Sequence, residues 1–211
     1  MSVAAHSETG AGNEPTGWEQ VDLYRFFAFA LGSPSAERFR WFQQPALPAA
    51  LGRLWAELGC TGEFPGIGAY RDYAEYESTY ITVFDVGLPE PLVPLLESAH
   101  NKTQPAQQTA LENTFFYEVL GLKADPGRTA PDHLLTQLEF LAAVLYAREN
   151  TPDGENRRSL ARLEREFLER HLLDWLPAAQ KKLKRAQPPL FPVLLTLLLA
   201  FLRQQHAVLA A

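Results

Sequence analysis

A small set of side chains in this sequence could perform acid–base or metal chemistry. They are Glu97, His100, Asp132, His133, Glu139, His171 and His206. No pair of these histidines has the His-x-x-x-His spacing, and the chain contains no Asp-x-Asp pair, so a compact metal site is not indicated. A glycine-rich phosphate loop and a Gly-x-Ser-x-Gly nucleophile turn are also absent from the sequence. The sequence therefore predicts no catalytic residue, no metal site, no bound cofactor and no enzymatic activity.

The segment Thr129-Ala130-Pro131-Asp132-His133 precedes a long apolar helix and has two interpretations. In the first, Thr129 caps the helix, Pro131 occupies its first turn, and Asp132 satisfies free N–H groups there. His133 would then be a surface histidine. In the second, the acid–histidine pair belongs to a functional loop. The residues by themselves favour the first interpretation.

Two further segments make a wider pattern with Pro131-Asp132-His133. One is Pro94-Leu95-Leu96-Glu97-Ser98 upstream, and the other is Phe167-x-x-x-His171-Leu172-x-x-Trp175-x-Pro177 downstream. Their order and spacing, from residue 72 to residue 177, resemble the TorD/DmsD/NarJ family of all-helical cytoplasmic chaperones that mature molybdenum enzymes. This resemblance implies the second interpretation, because the family's proline–acid–histidine loop is a hinge beside the groove that receives a client's leader peptide.

The resemblance also implies a set of client-binding residues. The hinge residues are Pro131, Asp132 and His133, and the groove-lining residues, matched by position, are Tyr80, Val83, Phe84, Pro94, Leu95, Leu96, Glu97 and Ser98. The chain departs from the family's common form at Leu96, where a bulky aromatic residue is frequent. It departs again at Phe84-Asp85-Val86-Gly87, where the family has a hydrophobic-Phe-hydrophobic-Gly run. These departures imply a narrower or differently shaped groove.

Composition limits the class of protein. The 211 residues are enough for one domain with a sizeable core, and 46% hydrophobic with 21% charged residues is usual for a soluble protein. With 19 basic and 25 acidic residues, the net charge of −6 disfavours nucleic acid and suits a basic peptide. The single cysteine, Cys60, excludes an internal disulfide. Residues 1–17 lack a signal-peptide pattern, so we expect a flexible tail and a cytoplasmic location.

The remaining pattern predicts about nine helices separated by proline and glycine. They span residues 18–31, 36–43, 45–58, 69–84, 103 or 107 to 120, 131–148, 153–172, 175–185 and 189–208. The last helix carries leucines on every side, so it should be buried at the centre. Its apolar run, residues 190–202, is shorter than a membrane span. We expect Glu139 to pair internally with an arginine or tyrosine, and His171 and Trp175 to be structural.

The sequence therefore predicts an all-α, TorD-like domain over residues 18–211 with a buried apolar C-terminal helix. The resemblance implies a chaperone for the apo catalytic subunit of a dimethyl-sulfoxide-reductase-family molybdenum oxidoreductase. It would bind the twin-arginine leader of that subunit, assist molybdopterin insertion and proofread the client before export. The protein would be a monomer or a homodimer without membrane insertion. Two alternatives are a generic helical adaptor and a helical protein that binds a small ligand.

Overall fold

The computed structural model describes residues 20–87, 90–101, 103–123 and 129–210, so the predicted tail of residues 1–17 lies outside the described part. Within those ranges the chain is helical, and its only strand-like feature is an isolated β-bridge. The α-helices are α1 Gln20–Ala30, α2 Ala36–Phe42, α3 Leu47–Glu57, α4 Tyr73–Tyr80, α5 Glu97–His100, α6 Ala106–Val119, α7 Leu134–Asn150, α8 Gly154–Phe167, α9 Leu176–Ala186 and α10 Phe191–Ala210. The predicted all-α fold is confirmed.

Local capping explains where several helices begin. The Ser35 hydroxyl accepts a hydrogen bond from the Arg38 amide at 3.1 Å, as the sequence predicted for the start of α2. The Asp153 carboxylate caps α8 by accepting from the Glu155 amide at 3.0 Å. The Asp72 carboxylate does the same for α4, 2.9 Å from the Glu75 amide, so that helix begins at Tyr73 rather than at residue 69.

Two of the predicted helices end in π-helical turns. Ile81–Asp85 continues α4, and Leu168–Leu172 continues α8. The wider turns are closed by i→i+5 hydrogen bonds, from the Val86 amide to the Ile81 carbonyl at 2.8 Å and from the Leu173 amide to the Leu168 carbonyl at 2.9 Å. Such turns are frequent at functional sites, because they turn side chains away from the regular helical stripe.

The C-terminal helix α10 is the centre of the core and contacts α1, α8 and α9. This helix of 20 residues contains an 18-residue stretch with a mean hydropathy of 1.5, and it is long and apolar enough to cross a membrane. Half of that stretch is buried inside the protein. The helix continues beyond the apolar run of residues 190–202, and its next residues, Arg203 and Gln204, are exposed to solvent. The prediction of a buried apolar C-terminal helix is confirmed.

Aromatic side chains from α4 and from the π-helical turn after it pack on the first turn of α10. Tyr80 and Phe84 lie 6.0 and 4.9 Å, centroid to centroid, from the Phe191 ring. The Tyr80 hydroxyl also donates to the Leu31 carbonyl at 3.0 Å. Tyr76, Tyr80 and Phe84 follow one another at steps of four residues in the sequence, and all three are buried in the core.

A buried ionic group joins α1, α7 and α8. The Glu164 carboxyl group lies 3.0 Å from the Arg148 guanidinium and accepts from the Tyr24 hydroxyl at 3.3 Å. Burial raises the pKa of Glu164 to about 6, against the opposing effect of Arg148. This is the arginine–tyrosine pairing that the sequence led us to expect of Glu139. That expectation was wrong, because α7 buries the face carrying Leu138 and Leu145, and Glu139 is exposed.

Candidate functional site

The two segments that carry the family resemblance lie side by side. Leu96 and His133 form an isolated antiparallel β-bridge. On either side of it, the Glu97 amide donates to the Asp132 carbonyl at 3.0 Å and the Leu134 amide donates to the Leu95 carbonyl at 2.8 Å. The sequence did not predict this pairing, since its partners, Leu96 and His133, are 37 positions apart and the segments are too short to show strand alternation. The two segments therefore form one structural unit, here called the loop pair.

Asp132 caps a helix, but not the helix that follows it. Its carboxylate accepts from the Ser98 amide at 3.1 Å, in the first turn of α5, and the side chain is 4% exposed. The helix after it, α7, begins later and has His133 as its N-cap, whose Nδ1 accepts from the Leu135 amide at 3.2 Å. The interpretation in which Asp132 caps its own helix and His133 is a surface histidine was wrong. The proximity of α5 redirects the carboxylate across the loop pair.

His133 is half-buried and uncharged at neutral pH. Burial is the main cause that lowers the pKa of His133 to about 4, and the Asp132 carboxylate opposes that shift. Because Nδ1 accepts the Leu135 amide, the ring proton of the neutral imidazole belongs on Nε2. Nε2 is thus a hydrogen-bond donor at the edge of the loop pair.

Beneath the loop pair is a buried polar cluster of four side chains from α5, α6, α7 and the π-helical turn after α8. Its members are Glu97, Asn113, Gln137 and His171, all at most 2% exposed. The Glu97 carboxyl group accepts from Gln137 Nε2 at 2.7 Å and from Asn113 Nδ2 at 2.9 Å, and both oxygens lie 3.1 Å from His171 Nδ1. The cluster holds α5, and with it the loop pair, in a fixed position. Of these four residues, Glu97 was expected to line the client groove and His171 to be structural, whereas Asn113 and Gln137 were not identified from the sequence.

The chain contains one Glu-x-x-His spacing, from Glu97 to His100, but these side chains diverge. Glu97 faces the buried cluster, whereas His100 Nε2 lies 2.8 Å from the Pro94 carbonyl and its ring stacks on Trp175 at 4.9 Å. Among the described residues no group of three or more potential ligands could hold a metal ion. The arrangement is therefore suited to holding loops in place.

The predicted client-binding residues differ sharply in accessibility. Seven are buried, namely Tyr80, Val83, Phe84, Pro94, Leu95, Glu97 and Asp132, and four are partly exposed, namely Leu96, Ser98, Pro131 and His133. The buried aromatic and aliphatic members support the loop pair from below, partly through the hydrogen bond from the Val93 amide to the Val83 carbonyl at 2.8 Å. Of the predicted client-binding residues, only the four partly exposed ones are accessible to a partner in this conformation.

Two grooves flank α7 beside the loop pair. One, of about 340 Å³, is lined by Pro131, Tyr117, Leu122, Lys123, Thr129, Leu135, Thr136, Glu139, Phe140 and Ala143. The other, of about 650 Å³, lies between α1 and α7 and is lined by Arg25, Ala28, Phe29, Gly32, Ser33, Arg38, Leu135, Leu138, Glu139, Ala142, Ala143 and Tyr146. Glu139 lines both grooves and is the one carboxylate in either lining. Cationic side chains line the grooves as well, Arg25 and Arg38 in the larger and Lys123 in the smaller, so Glu139 is an acidic point between two largely apolar grooves with basic rims.

Comparison with known proteins decides the family. The profile described as nitrate reductase delta subunit matches residues 44–180. The chain belongs to that family. It is 30% identical over 172 residues to the perchlorate reductase assembly chaperone protein of Dechloromonas aromatica, covering 74% of this chain and 73% of that protein. It is 28% identical over 151 residues to the selenate reductase assembly chaperone protein of Thauera selenatis, covering 65% and 78%.

A third relative is also named as an assembly chaperone. The chlorate reductase assembly chaperone protein of Ideonella dechloratans is 30% identical over 113 residues, or 53% of this chain and 58% of that protein. Both the family profile and these relatives confirm the TorD/DmsD/NarJ resemblance. All three relatives are named as assembly chaperones and none as an enzyme, in agreement with the sequence prediction of a chaperone without enzymatic activity.

Proposed function

We propose that this chain is the cytoplasmic assembly chaperone of a molybdenum-containing oxidoreductase of the dimethyl-sulfoxide-reductase family. It holds the apo catalytic subunit until the molybdopterin cofactor is inserted, and so proofreads the client before export. The relatives named for perchlorate, selenate and chlorate reductases support an oxyanion reductase as the client. The observation that carries the proposal is the pairing of the Leu96 and His133 segments above the buried polar cluster.

The N-terminal twin-arginine leader of the catalytic subunit is the segment that this site suits best. Such a leader combines arginines with apolar residues, and a helix-in-groove contact would place the apolar residues against Leu135 and Phe140. In the smaller groove, Glu139 would receive an arginine of the leader in a charge-assisted hydrogen bond. Pro131 lines the same groove, so the hinge and the groove meet at the proposed leader site.

The test is co-purification of the chaperone with the catalytic subunit, with and without its leader. We expect wild-type chaperone to retain the intact subunit and to lose most of it when the leader is removed. Glu139→Gln should weaken the affinity for a synthetic leader peptide by about tenfold, the value of one charge-assisted contact. The matched control is Glu149→Gln, an exposed carboxylate on the same helix outside both grooves. Retention that is indifferent to the leader would argue against this mode of binding.

A further inference from the structure

The outer face of α6 carries an apolar stripe that nothing in the described structure covers. Leu111, Phe115 and Val119 follow one another at intervals of four residues and are 64%, 67% and 57% exposed, and Leu122 beyond the helix end is 41% exposed. These four, here called the α6 stripe, are nearly half of the large hydrophobic side chains that are exposed in the described residues. Such concentration on one helix is typical of an interaction surface.

Carboxylates flank the α6 stripe on both sides. Glu118 lies on one side of the stripe and Glu112 on the other, and α6 contains no lysine or arginine. Hydrogen bonds from Gln108 and Gln104 lower the pKa of Glu112, so it is ionised at neutral pH. A second copy of this chain would bring like charges together around the stripe. A partner helix with basic residues beside its apolar face would neutralise them.

The stripe is continuous with the groove of the proposed leader site. Leu122 belongs to the stripe and also lines the groove that contains Pro131. On the inner face of α6, the Tyr117 hydroxyl donates to the Pro131 carbonyl at 2.5 Å, which fixes the helix against the loop pair. A chain segment that leaves the groove at Leu122 therefore meets the apolar stripe next.

We propose that the α6 stripe is a second docking surface, which binds a basic amphipathic helix of the client's catalytic subunit. This proposal rests on the proposed function for the identity of the client, and the surface itself is defined by its apolar and acidic residues. Two adjoining sites would make retention of the apo subunit bivalent, so that the leader and a second segment hold it together.

A designed peptide tests the surface without the client. The probe is a labelled peptide of about 18 residues, five helical turns, with leucines on one face and lysines beside them. We expect it to bind the full-length wild-type chaperone. Phe115→Gln combined with Val119→Gln should weaken binding at least about tenfold, because both contacts are apolar. The matched control is Val208→Gln, which replaces a side chain that is 61% exposed on α10 and should leave binding unchanged.

A charge-reversal arm tests the predicted sign of the partner. Glu118→Lys should weaken binding of the lysine peptide and strengthen binding of a matched peptide with glutamates in place of the lysines. Glu149→Lys is the control for a general change in net charge. Equal binding of both peptides to the wild-type protein, or wild-type affinity in the Phe115/Val119 variant, would overturn the proposal.

Two further measurements distinguish this proposal from dimerisation through the stripe and from the proposed function. Analytical ultracentrifugation gives the oligomeric state. If the wild-type protein is a dimer and the Phe115/Val119 variant is a monomer, a second copy of the chain covers the stripe and the proposal is wrong. Co-purification of the catalytic subunit distinguishes the inference from the proposed function. Failure of the wild-type chaperone to retain the subunit contradicts the proposed function, whereas equal retention by wild type and stripe variant contradicts the second docking surface alone.

Discussion

At the scale of single residues, Asp132 is the position where structure and function are most closely linked. Its carboxylate caps α5 from the neighbouring loop, through the Ser98 amide. We expect Asp132→Ala to lower the free energy of unfolding by about 1–2 kcal/mol, as loss of a cap does. It should also reduce maturation of the client, because the two halves of the loop pair lose their side-chain link. The measurement is client activity in cells at matched chaperone abundance.

The control for Asp132 is a second cap at a different place. Asp153→Ala removes the cap of α8, with a similar expected loss of stability, and Asp153 lines neither groove. Client activity should fall with Asp132→Ala and stay near wild type with Asp153→Ala. If the two variants behave alike in cells, stability alone explains the effect and the functional role of Asp132 is refuted.

The half-buried imidazole of His133 makes a pH-dependent contribution to stability. Its pKa lies near 4 in the folded protein, below the usual 6.5. Between these values the unfolded chain binds a proton that the folded protein excludes. The contribution is therefore complete above pH 6.5 and is lost as the pH falls towards 4, by about 3 kcal/mol in total. His133→Asn keeps an N-cap side chain without a titrating group. Denaturant unfolding across this range should show a flatter pH profile for the variant, and identical slopes would contradict the prediction.

At the scale of helices, the polar cluster around Glu97 joins elements that are far apart in sequence. Glu97→Ala would leave Gln137, Asn113 and His171 buried without their common partner. We expect the free energy of unfolding to fall by about 3–5 kcal/mol, the cost of breaking a buried polar network. Chemical denaturation checks this value. The exposed Glu118→Ala serves as control and should change stability by less than about 0.5 kcal/mol.

At the scale of the whole molecule, charge and shape both favour a basic amphipathic client. The net charge is −6, Glu139 lines both apolar grooves, and Glu112 and Glu118 flank the α6 stripe. Affinity for a twin-arginine leader peptide should therefore decrease as salt is raised, by less than about tenfold, since apolar contacts are not screened. A leader with glutamines for arginines should bind more weakly and with little salt dependence. Equal salt dependence of the two peptides would contradict an electrostatic contribution.

The sequence by itself determined the helical fold, most helix boundaries and the family. These features depend on local information, such as the Ser35 and Asp153 caps and the leucines of α10, which act within one or two turns of the chain. There were three exceptions. The fourth predicted helix begins late because Asp72 caps it, α5 was not predicted, and α7 begins at Leu134 rather than at residue 131. The order of the proline–acid–histidine motifs then indicated the chaperone family, which the comparisons confirmed.

Only the tertiary structure decided what the motif residues contact. Asp132 is a strong capping residue in any sequence, but its partner, Ser98, is 34 positions away. Glu97 likewise meets Gln137 and His171 at separations of 40 and 74 positions. Helical periodicity relates neighbours three or four residues apart, so it predicts which face of a helix is apolar but not which helix that face meets. Packing of α5 against α6 and α7 supplied that information, and it turned Glu97 inward while leaving Glu139 between the grooves.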